Sequence, residues 1–161
     1  MTIVIGVDPG TYRMGVGVIR VDGKRLEYAR AELLEAKKSD PLAARLVTLR
    51  NDLVELCNDA IDSADTIVTA IEEGFGGGFA TDLSLAEVRG VAREVLASSF
   101  GAGVLRGYAA ATVKKAVTGS GRADKVQVTR MVTARLKLKV APGPDVADAL
   151  AVAITRTMEV T

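Results

Sequence analysis

Hydrophobic and polar positions follow a strand-like pattern at the start of this chain. Residues 2–8 form a nearly continuous apolar run, and the segment RMGVGVIRV, residues 13–21, is apolar again after a Pro-Gly turn. An Asp-Gly turn then leads into RLEYARAEL, residues 25–33. Apolar runs separated by such turns are typical of successive antiparallel strands. The first 33 residues therefore predict three antiparallel strands.

The pattern changes to helical spacing at about residue 41. Apolar side chains recur every three or four positions from 41 to 64, which predicts an amphipathic helix. The β-branched run TIVTAIEE, residues 66–73, predicts a buried strand. After a glycine-rich loop, we expect a helix over 82–98, a strand over 103–109, a helical turn at 111–117, and helices over 123–138 and 145–158.

This order of elements predicts an α/β fold. Three antiparallel strands are followed by helix, strand, helix and strand, so the sheet should be mixed, with parallel pairing in its second half. Helices are expected on both faces of this sheet, as in the ribonuclease H-like fold. No linker or repeat divides the chain, so residues 1–161 are expected to form one domain.

Composition indicates an ordinary folded protein of the cell interior. Hydrophobic residues make up 48% and charged residues 25% of the 161 positions, which is usual for a globular domain. The single cysteine, Cys57, has no partner for an internal disulfide. No apolar run approaches the roughly 20 residues that span a bilayer. We expect a soluble protein of the cytoplasm, without a membrane partner.

The net charge of +1 conceals a strong asymmetry. Residues 101–139 hold nine basic side chains against one acid, Asp124, for a net charge of +8, which leaves −7 for the rest. Phosphate contacts depend on such local charge, so this region is a candidate surface for nucleic acid. A solvated helical face that is merely basic explains the charge equally well.

Two aspartates near the start of the last predicted helix are the strongest chemical signal. Asp145 and Asp148 in PDVADALAVAI are three positions apart and share a helix face, while nearly all their neighbours are apolar. Two inward-facing carboxylates repel each other and lose hydration unless a cation joins them. The alternative is that Asp145 caps the helix and Asp148 is exposed in the first turn. That reading explains one aspartate better than the pair.

Two further carboxylates stand at the ends of apolar strands. Asp8 closes the first strand, and Glu72 lies near the end of the 66–73 strand. The chain has no histidine, which removes histidine-based nucleophile triads and most zinc chemistry. Oxygen ligands alone favour magnesium or manganese. The four acids are therefore candidates for a site of two-metal phosphoryl transfer.

Four sequence blocks in their order and spacing resemble the RuvC family of Holliday-junction resolvases. The blocks are IGVDPGTYRMGVGVI, AIEEGF, VKKAVTGSGRADKVQVTRMV and PDVADALAVAI, and the resemblance extends from residue 3 to about residue 155. It implies a ribonuclease H-like fold and a homodimer. It also implies magnesium-dependent nicking of two opposed strands of a four-way DNA junction. Whether a branch-migration complex is a further partner stays open.

The resemblance also implies roles for individual residues. Asp8, Glu72, Asp145 and Asp148 are similar to the family's metal ligands, with two magnesium or manganese ions per site. Glu73 competes with Glu72, because adjacent strand residues face opposite sides. The family pattern has an aromatic residue three positions after its glutamate, here Phe75, which favours Glu72. Phe75 would stack on a base near the junction centre, unless it merely packs against the core.

The basic residues fall into two groups by this resemblance. Lys114 and Lys125 match positions near the scissile phosphate, where a positive charge offsets developing negative charge. Lys115, Arg122 and Arg130 are expected only to hold the DNA backbone. The loop TGSGR, residues 118–122, precedes a helix start and is a candidate phosphate seat, although its spacing is not that of a nucleotide P-loop.

Three alternative functions share some of these features. A related ribonuclease H-like nuclease would act on other branched DNA or on RNA with the same carboxylates. The DPGT segment also resembles the first phosphate loop of actin-like and sugar-kinase-like nucleotide binders, but those need a second domain and a second loop. A non-catalytic junction-binding protein would not need all four carboxylates.

Overall fold

The computed structural model describes residues 1–61, 66–74 and 78–160. Its strands are β1 (Thr2–Pro9), β2 (Arg13–Asp22), β3 (Arg25–Glu35), β4 (Thr66–Glu73) and β5 (Leu105–Ala109). Its helices are α1 (Leu42–Ile61), α2 (Phe79–Phe100), α3 (Ala110–Thr118), α4 (Lys125–Arg135) and α5 (Pro144–Thr157), and a short 3-10 helix precedes β5. No described helix has the length and apolarity that a membrane span requires.

The five strands form one mixed sheet in the order β3-β2-β1-β4-β5. The three N-terminal strands pair antiparallel, whereas β4 pairs parallel with both β1 and β5. This arrangement follows from the connections: short turns join β1, β2 and β3, and helices precede β4 and β5. The predicted mixed α/β sheet is therefore confirmed.

Helices cover both faces of the sheet, each over its own apolar core. Alternate residues of β1 separate the cores: Ile3, Ile5 and Val7 pack with α1 and α2, while Val4 packs with α3, α4 and α5. Each face therefore has a distinct set of helices. The face under α5 carries the candidate carboxylates.

Helix α5 lies unusually close to β1 and β2. A Cβ atom at Gly6 would be 2.9 Å from the Cα of Ala153, and one at Gly17 would be 2.9 Å from the Cα of Leu150. Both distances are shorter than real side chains show, so only glycine permits this approach. The helix is almost entirely buried from Ala149 to Thr157. The strand glycines thus set the position of α5 on the sheet.

Helices α3 and α4 differ from the sequence prediction in ways that the local structure explains. Helix α3 is nine residues long rather than a single turn. Helix α4 starts after Asp124, which forms a reciprocal capping box with Gln127. It ends at Arg135, before the predicted 138, and Lys137 takes a left-handed conformation with φ of 52°. A left-handed residue interrupts helical hydrogen bonding.

Candidate active site

Asp8 and Glu72 leave two neighbouring parallel strands on the same face of the sheet. Val7 of β1 pairs with Ile71 of β4, and each carboxylate is the next residue along its strand. Strand alternation places Asp8 with Val4, and Glu72 with Ala70, on the side where α5 packs. Two central strands thus present carboxylates to one helix.

Helix α5 supplies the other two carboxylates. Asp145 and Asp148 are partly buried, with 27% and 20% of their side-chain surface exposed. The helix is positioned here by Gly15 of β2, where a Cβ atom would overlap the carbonyl oxygen of Asp145. Because Gly15 pairs directly with Asp8 across the sheet, the start of α5 lies beside that strand end. The four carboxylates therefore share one region.

The alternative reading of Asp145 as a helix cap is wrong. The N-cap of α5 is Gly143, and no side chain caps it. Pro144 begins the helix, a position where its missing N–H costs nothing. Asp145 lies inside the first turn, and its carboxylate contacts side chains outside α5.

The structure separates the two adjacent glutamates of β4. Glu73 pairs with Arg93 of α2, on the face opposite to α5. Glu72 faces the other way. Burial and the charge of Asp148 raise its pKa while the charge of Lys125 lowers it, so Glu72 lies near both of these residues. Of the two glutamates, only Glu72 lies with the remaining carboxylates.

The two strand-borne carboxylates, Asp8 and Glu72, both have raised pKa values. The pKa of Asp8 is raised from 3.8 to about 7, mainly by burial and also by the charges of Glu72, Asp148 and Asp145, while Lys125 opposes the shift. Burial also raises the pKa of Glu72, with a contribution from Asp148. Like charges in a desolvated place disfavour ionisation. The site therefore concentrates more negative charge than it can stabilise by itself.

Two lysines lie beside this charge. The Nζ atom of Lys125 is 3.2 Å from Asp148 Oδ2 and 4.0 Å from Asp145 Oδ1. Burial lowers the pKa of Lys125, but Asp148, Asp145 and Asp8 raise it by more, so the ammonium form is retained. Lys114 lowers the pKa of Glu72, which places its charge near that carboxylate. Both lysines predicted near the reaction centre thus lie at the carboxylates.

The donor set fits a hard divalent cation. Among the described residues, no three acidic or cysteine side chains lie close enough together to hold a metal ion. The ammonium group of Lys125 instead balances part of the negative charge of Asp145 and Asp148. All four candidate ligands are nevertheless carboxylates, which magnesium and manganese prefer. Their mutual repulsion, visible in the raised pKa of Asp8, is the kind that a bound cation relieves.

The remaining predicted residues lie on the elements that carry the two lysines, on the loop between these elements, or outside the described residues. Lys115, Arg122 and Arg130 are exposed on α3, on α4 and on the loop between them. Phe75 lies outside the described residues. The phosphate seat predicted at TGSGR is not supported, because the N–H groups of Ser120 and Arg122 already donate to the hydroxyls of Thr118 and Ser120.

Two arginines at the site were missed by sequence reasoning. Arg89 of α2 is buried, donates to the Gly74 carbonyl just after β4, and lowers the pKa of Glu72. Its position on the apolar stripe formed by Val88, Ala92 and Val95 was a usable signal, since a charged residue there must have partners. The Nε atom of Arg13 is 3.5 Å from Asp145 Oδ2, a contact that no sequence pattern indicates.

Comparisons with known proteins agree with this architecture. A family profile described as Crossover junction endodeoxyribonuclease RuvC matches residues 4–156. Proteins of that name from Afipia carboxidovorans and Haemophilus influenzae are each 40% identical over 156 residues. The alignments cover 94% and 96% of this chain, and 86% and 78% of those proteins. The structure of Thermus thermophilus RuvC in complex with Holliday junction substrate is 30% identical. It superimposes with a TM-score of 0.83, covering 99% of this chain and 95% of that one.

The sheet order and the carboxylates at the ends of its central strands define a ribonuclease H-like nuclease. The class alone does not choose among branched or hybrid substrates. The matched profile and the relatives resolve this point at the level of the family. This chain belongs to the RuvC family of crossover junction endodeoxyribonucleases.

Proposed function

We propose that this protein resolves four-way DNA junctions by paired symmetric nicks, using two divalent ions to hydrolyse phosphodiester bonds. The observation that carries the proposal is the gathering of four carboxylates and two lysines in a member of the RuvC family. The related Thermus protein is described in complex with a Holliday junction substrate. Acids from β1, β4 and α5 supply a charge distribution that suits this chemistry.

The carboxylates are proposed to hold the metal. Asp8, Glu72, Asp145 and Asp148 would bind two magnesium or manganese ions, which activate water and stabilise the leaving oxygen when bound. Helix α5 packs directly on the strands, and this packing keeps its two aspartates beside the carboxylates of β1 and β4. Lys114 and Lys125 place positive charge where negative charge develops on the phosphate.

The surrounding basic surface is proposed to hold the DNA. Lys115, Arg122 and Arg130 are exposed and lie in the region of net charge +8. Their proposed role is to contact the backbone, which gives affinity without reading sequence. Phe75 is proposed to stack on a base at the junction centre.

The proposed working unit is a homodimer of single-domain chains, each formed by residues 1–161. Two opposed nicks require two active sites, and two copies of one chain supply them with matching symmetry. The proposed location is the cytoplasm, where an enzyme of DNA processing meets its substrate. A branch-migration complex is proposed as a further partner.

The decisive experiment is cleavage of a synthetic four-way junction with magnesium, compared with a linear duplex, a fork and an RNA–DNA hybrid. We expect symmetric nicks on the junction alone, and their loss in Asp148→Asn. Asp8→Asn should abolish cleavage while junction binding persists, because binding rests on basic residues. Equal cleavage of forks or hybrids would indicate a nuclease of other substrates. Binding without nicking under any divalent metal would indicate a non-catalytic junction binder.

A further inference from the structure

The turn between β1 and β2 is fixed from two directions. The Nη1 atom of Arg45, on α1, donates to the carbonyl oxygen of Thr11 at 2.7 Å. The N–H group of Ala36, just after β3, donates to the carbonyl oxygen of Tyr12 at 2.8 Å. Both bonds join the turn to distant parts of the chain. The backbone that carries Tyr12 is therefore held in place before any ligand arrives.

Two cations lie over the ring of Tyr12. The guanidinium carbon of Arg13 is 5.2 Å from the ring centroid, and the Nζ atom of Lys38 is 5.3 Å from it. Both distances are within the range of cation–π attraction. Among the described residues, none supplies a carboxylate to the Lys38 ammonium. The ring thus contacts two positive charges at once.

This cluster lies at the edge of the carboxylate site. A cavity of about 140 Å³ is lined by Asp8, by Gly10 to Arg13, and by Asp145. Arg13 contacts Oδ2 of Asp145, whereas Lys125 contacts Oδ1 of the same carboxylate. The carboxylate of Asp145 therefore contacts one cation from α4 and another from β2. Asp145 contacts the Nε atom of Arg13, and no described residue binds its Nη groups. The Arg13 side chain is 42% exposed.

We propose that Tyr12, Arg13 and Lys38 form a second phosphate-binding surface, here called the turn surface. It receives the DNA backbone on the β2 side of the carboxylates, whereas Lys125 serves the α4 side. A strand that crosses the site needs positive charge on both sides of the cleaved bond, and the region of net charge +8 does not include the turn surface. This inference rests on the proposed function.

The chemistry of the turn surface suits a phosphate better than a carboxylate side chain or a base. A guanidinium with free Nη groups binds a phosphate through two parallel hydrogen bonds. The ring keeps Arg13 and Lys38 together, so less conformational freedom is lost when the phosphate binds. Local acids limit the surface: Glu35 pairs across the sheet from Arg13, and Asp145 already contacts it. The net charge available therefore comes mainly from Lys38.

The test measures binding of a four-way junction in EDTA over a range of salt concentrations. Each phosphate contact contributes about 0.9 to the slope of log affinity against log salt concentration. Lys38→Gln should reduce this slope by about that amount and weaken binding several-fold, and Arg13→Gln should reduce it by less, because Asp145 already contacts Arg13. Arg13→Lys should preserve most of the slope. Tyr12→Leu should lower affinity without removing a charge, whereas Tyr12→Phe should bind as the wild type does.

The matched control is Lys24→Gln. Lys24 is an exposed lysine in the turn that follows β2, at the opposite end of that strand from Arg13. Its slope and affinity should equal those of the wild type. If both Arg13→Gln and Lys38→Gln keep the wild-type slope and have normal melting curves, the turn surface does not bind phosphate. That result would leave the proposed function unaffected. Failure of the wild-type protein to bind the junction would overturn the proposed function as well.

Discussion

Gly15 lies so close to Asp145 that a Cβ atom at position 15 would overlap the carbonyl oxygen of the aspartate. The same glycine pairs with Asp8 in the β1–β2 ladder. One residue without a side chain therefore connects the strand-borne carboxylate with the helix-borne pair. The spacing of the proposed metal ligands depends on how closely the backbones of β2 and α5 approach.

Gly15→Ala should separate those backbones and disturb the site. The added methyl group meets backbone atoms of α5 rather than a flexible side-chain end, so the helix must move. We expect a loss of roughly 1–3 kcal/mol in the free energy of unfolding, as is usual for overpacked cores. Junction cleavage should fall at least tenfold, because small displacements of catalytic groups are costly.

The control for this substitution is Gly103→Ala. No atom lies within 4 Å of a Cβ at Gly103, and its φ is not positive, so stability and cleavage should both be unchanged. Chemical denaturation and single-turnover nicking measure the two effects. Normal nicking in Gly15→Ala would show that the position of Asp145 is less critical than its contacts indicate.

Asp8→Asn should stabilise the metal-free protein at alkaline pH. Asp8 has a pKa of about 7 in the folded chain against an ordinary 3.8, so the folded state holds this proton more tightly than the unfolded state. The resulting stabilisation is complete below about pH 4 and is lost as the pH rises through 7. The cost of ionisation reaches up to about 1.4 kcal/mol for each pH unit between the two values.

Asparagine cannot ionise, so the variant escapes that cost. In EDTA, the melting temperature of Asp8→Asn should exceed that of the wild type at pH 8, and the difference should shrink towards pH 5. Asp22→Asn, at an exposed aspartate beside a turn, should show no such pH-dependent difference. An equal gain at both pH values would mean that charge repulsion is not its source.

Lys125→Gln should slow cleavage more than it weakens binding. The ammonium contacts Asp148 and Asp145, and its removal leaves their charge without this counter-ion. We expect the nicking rate of the bound junction to fall about tenfold or more, as for the loss of one electrostatic contact in a transition state. Lys125→Arg should retain much of the rate because it keeps the charge.

Arg130→Gln provides a comparison on the same helix. Arg130 is exposed on α4 and is proposed only to contact DNA backbone. Its removal should weaken junction binding and leave the rate of the saturated complex intact. If Lys125→Gln behaves in the same way in saturating single-turnover assays, Lys125 is a binding residue and takes no part in the reaction.

Arg89→Met should destabilise the fold and impair the site together. Arg89 is buried, and its guanidinium donates to the Gly74 carbonyl at the end of β4. Loss of a hydrogen bond from a charged group costs roughly 1.5–3 kcal/mol. The nearby Arg93→Gln breaks an exposed ion pair with Glu73 and should cost less than about 1 kcal/mol. Urea denaturation compares them, and similar losses would contradict a special role for Arg89.

Particular residues explain how much of the fold and of the site the sequence predicts. Apolar runs and turn residues predicted the strands, because burial on both faces leaves little choice of side chain. The fold class and the family were predicted correctly on this basis and on the four matching blocks. Alternation alone showed that Glu72 and Glu73 face opposite sides. The family pattern around Phe75 favoured Glu72, and the packing of α2 and α5 places Glu72 on the side of the other carboxylates.

Other features depend on contacts that no local pattern encodes. Gly15 and Gly17 stand in an apolar strand whose sequence does not say what packs against them, and the structure shows that α5 does. The contact of Arg13 with Asp145 joins the start of β2 to α5. Helix α4 was expected to reach residue 138, because propensity does not reveal the left-handed backbone of Lys137. Such features are set by tertiary structure.

The proposed metal site needs residues from both β1 and α5, so it forms only after both elements have been synthesised. Asp8 is made long before Asp145 and Asp148. Contacts between such distant positions form late in folding. A chain that has been made only as far as Pro144 carries Asp8 and Glu72 but neither aspartate of α5. The proposed metal site is therefore complete only after α5 has been made and has packed on the sheet.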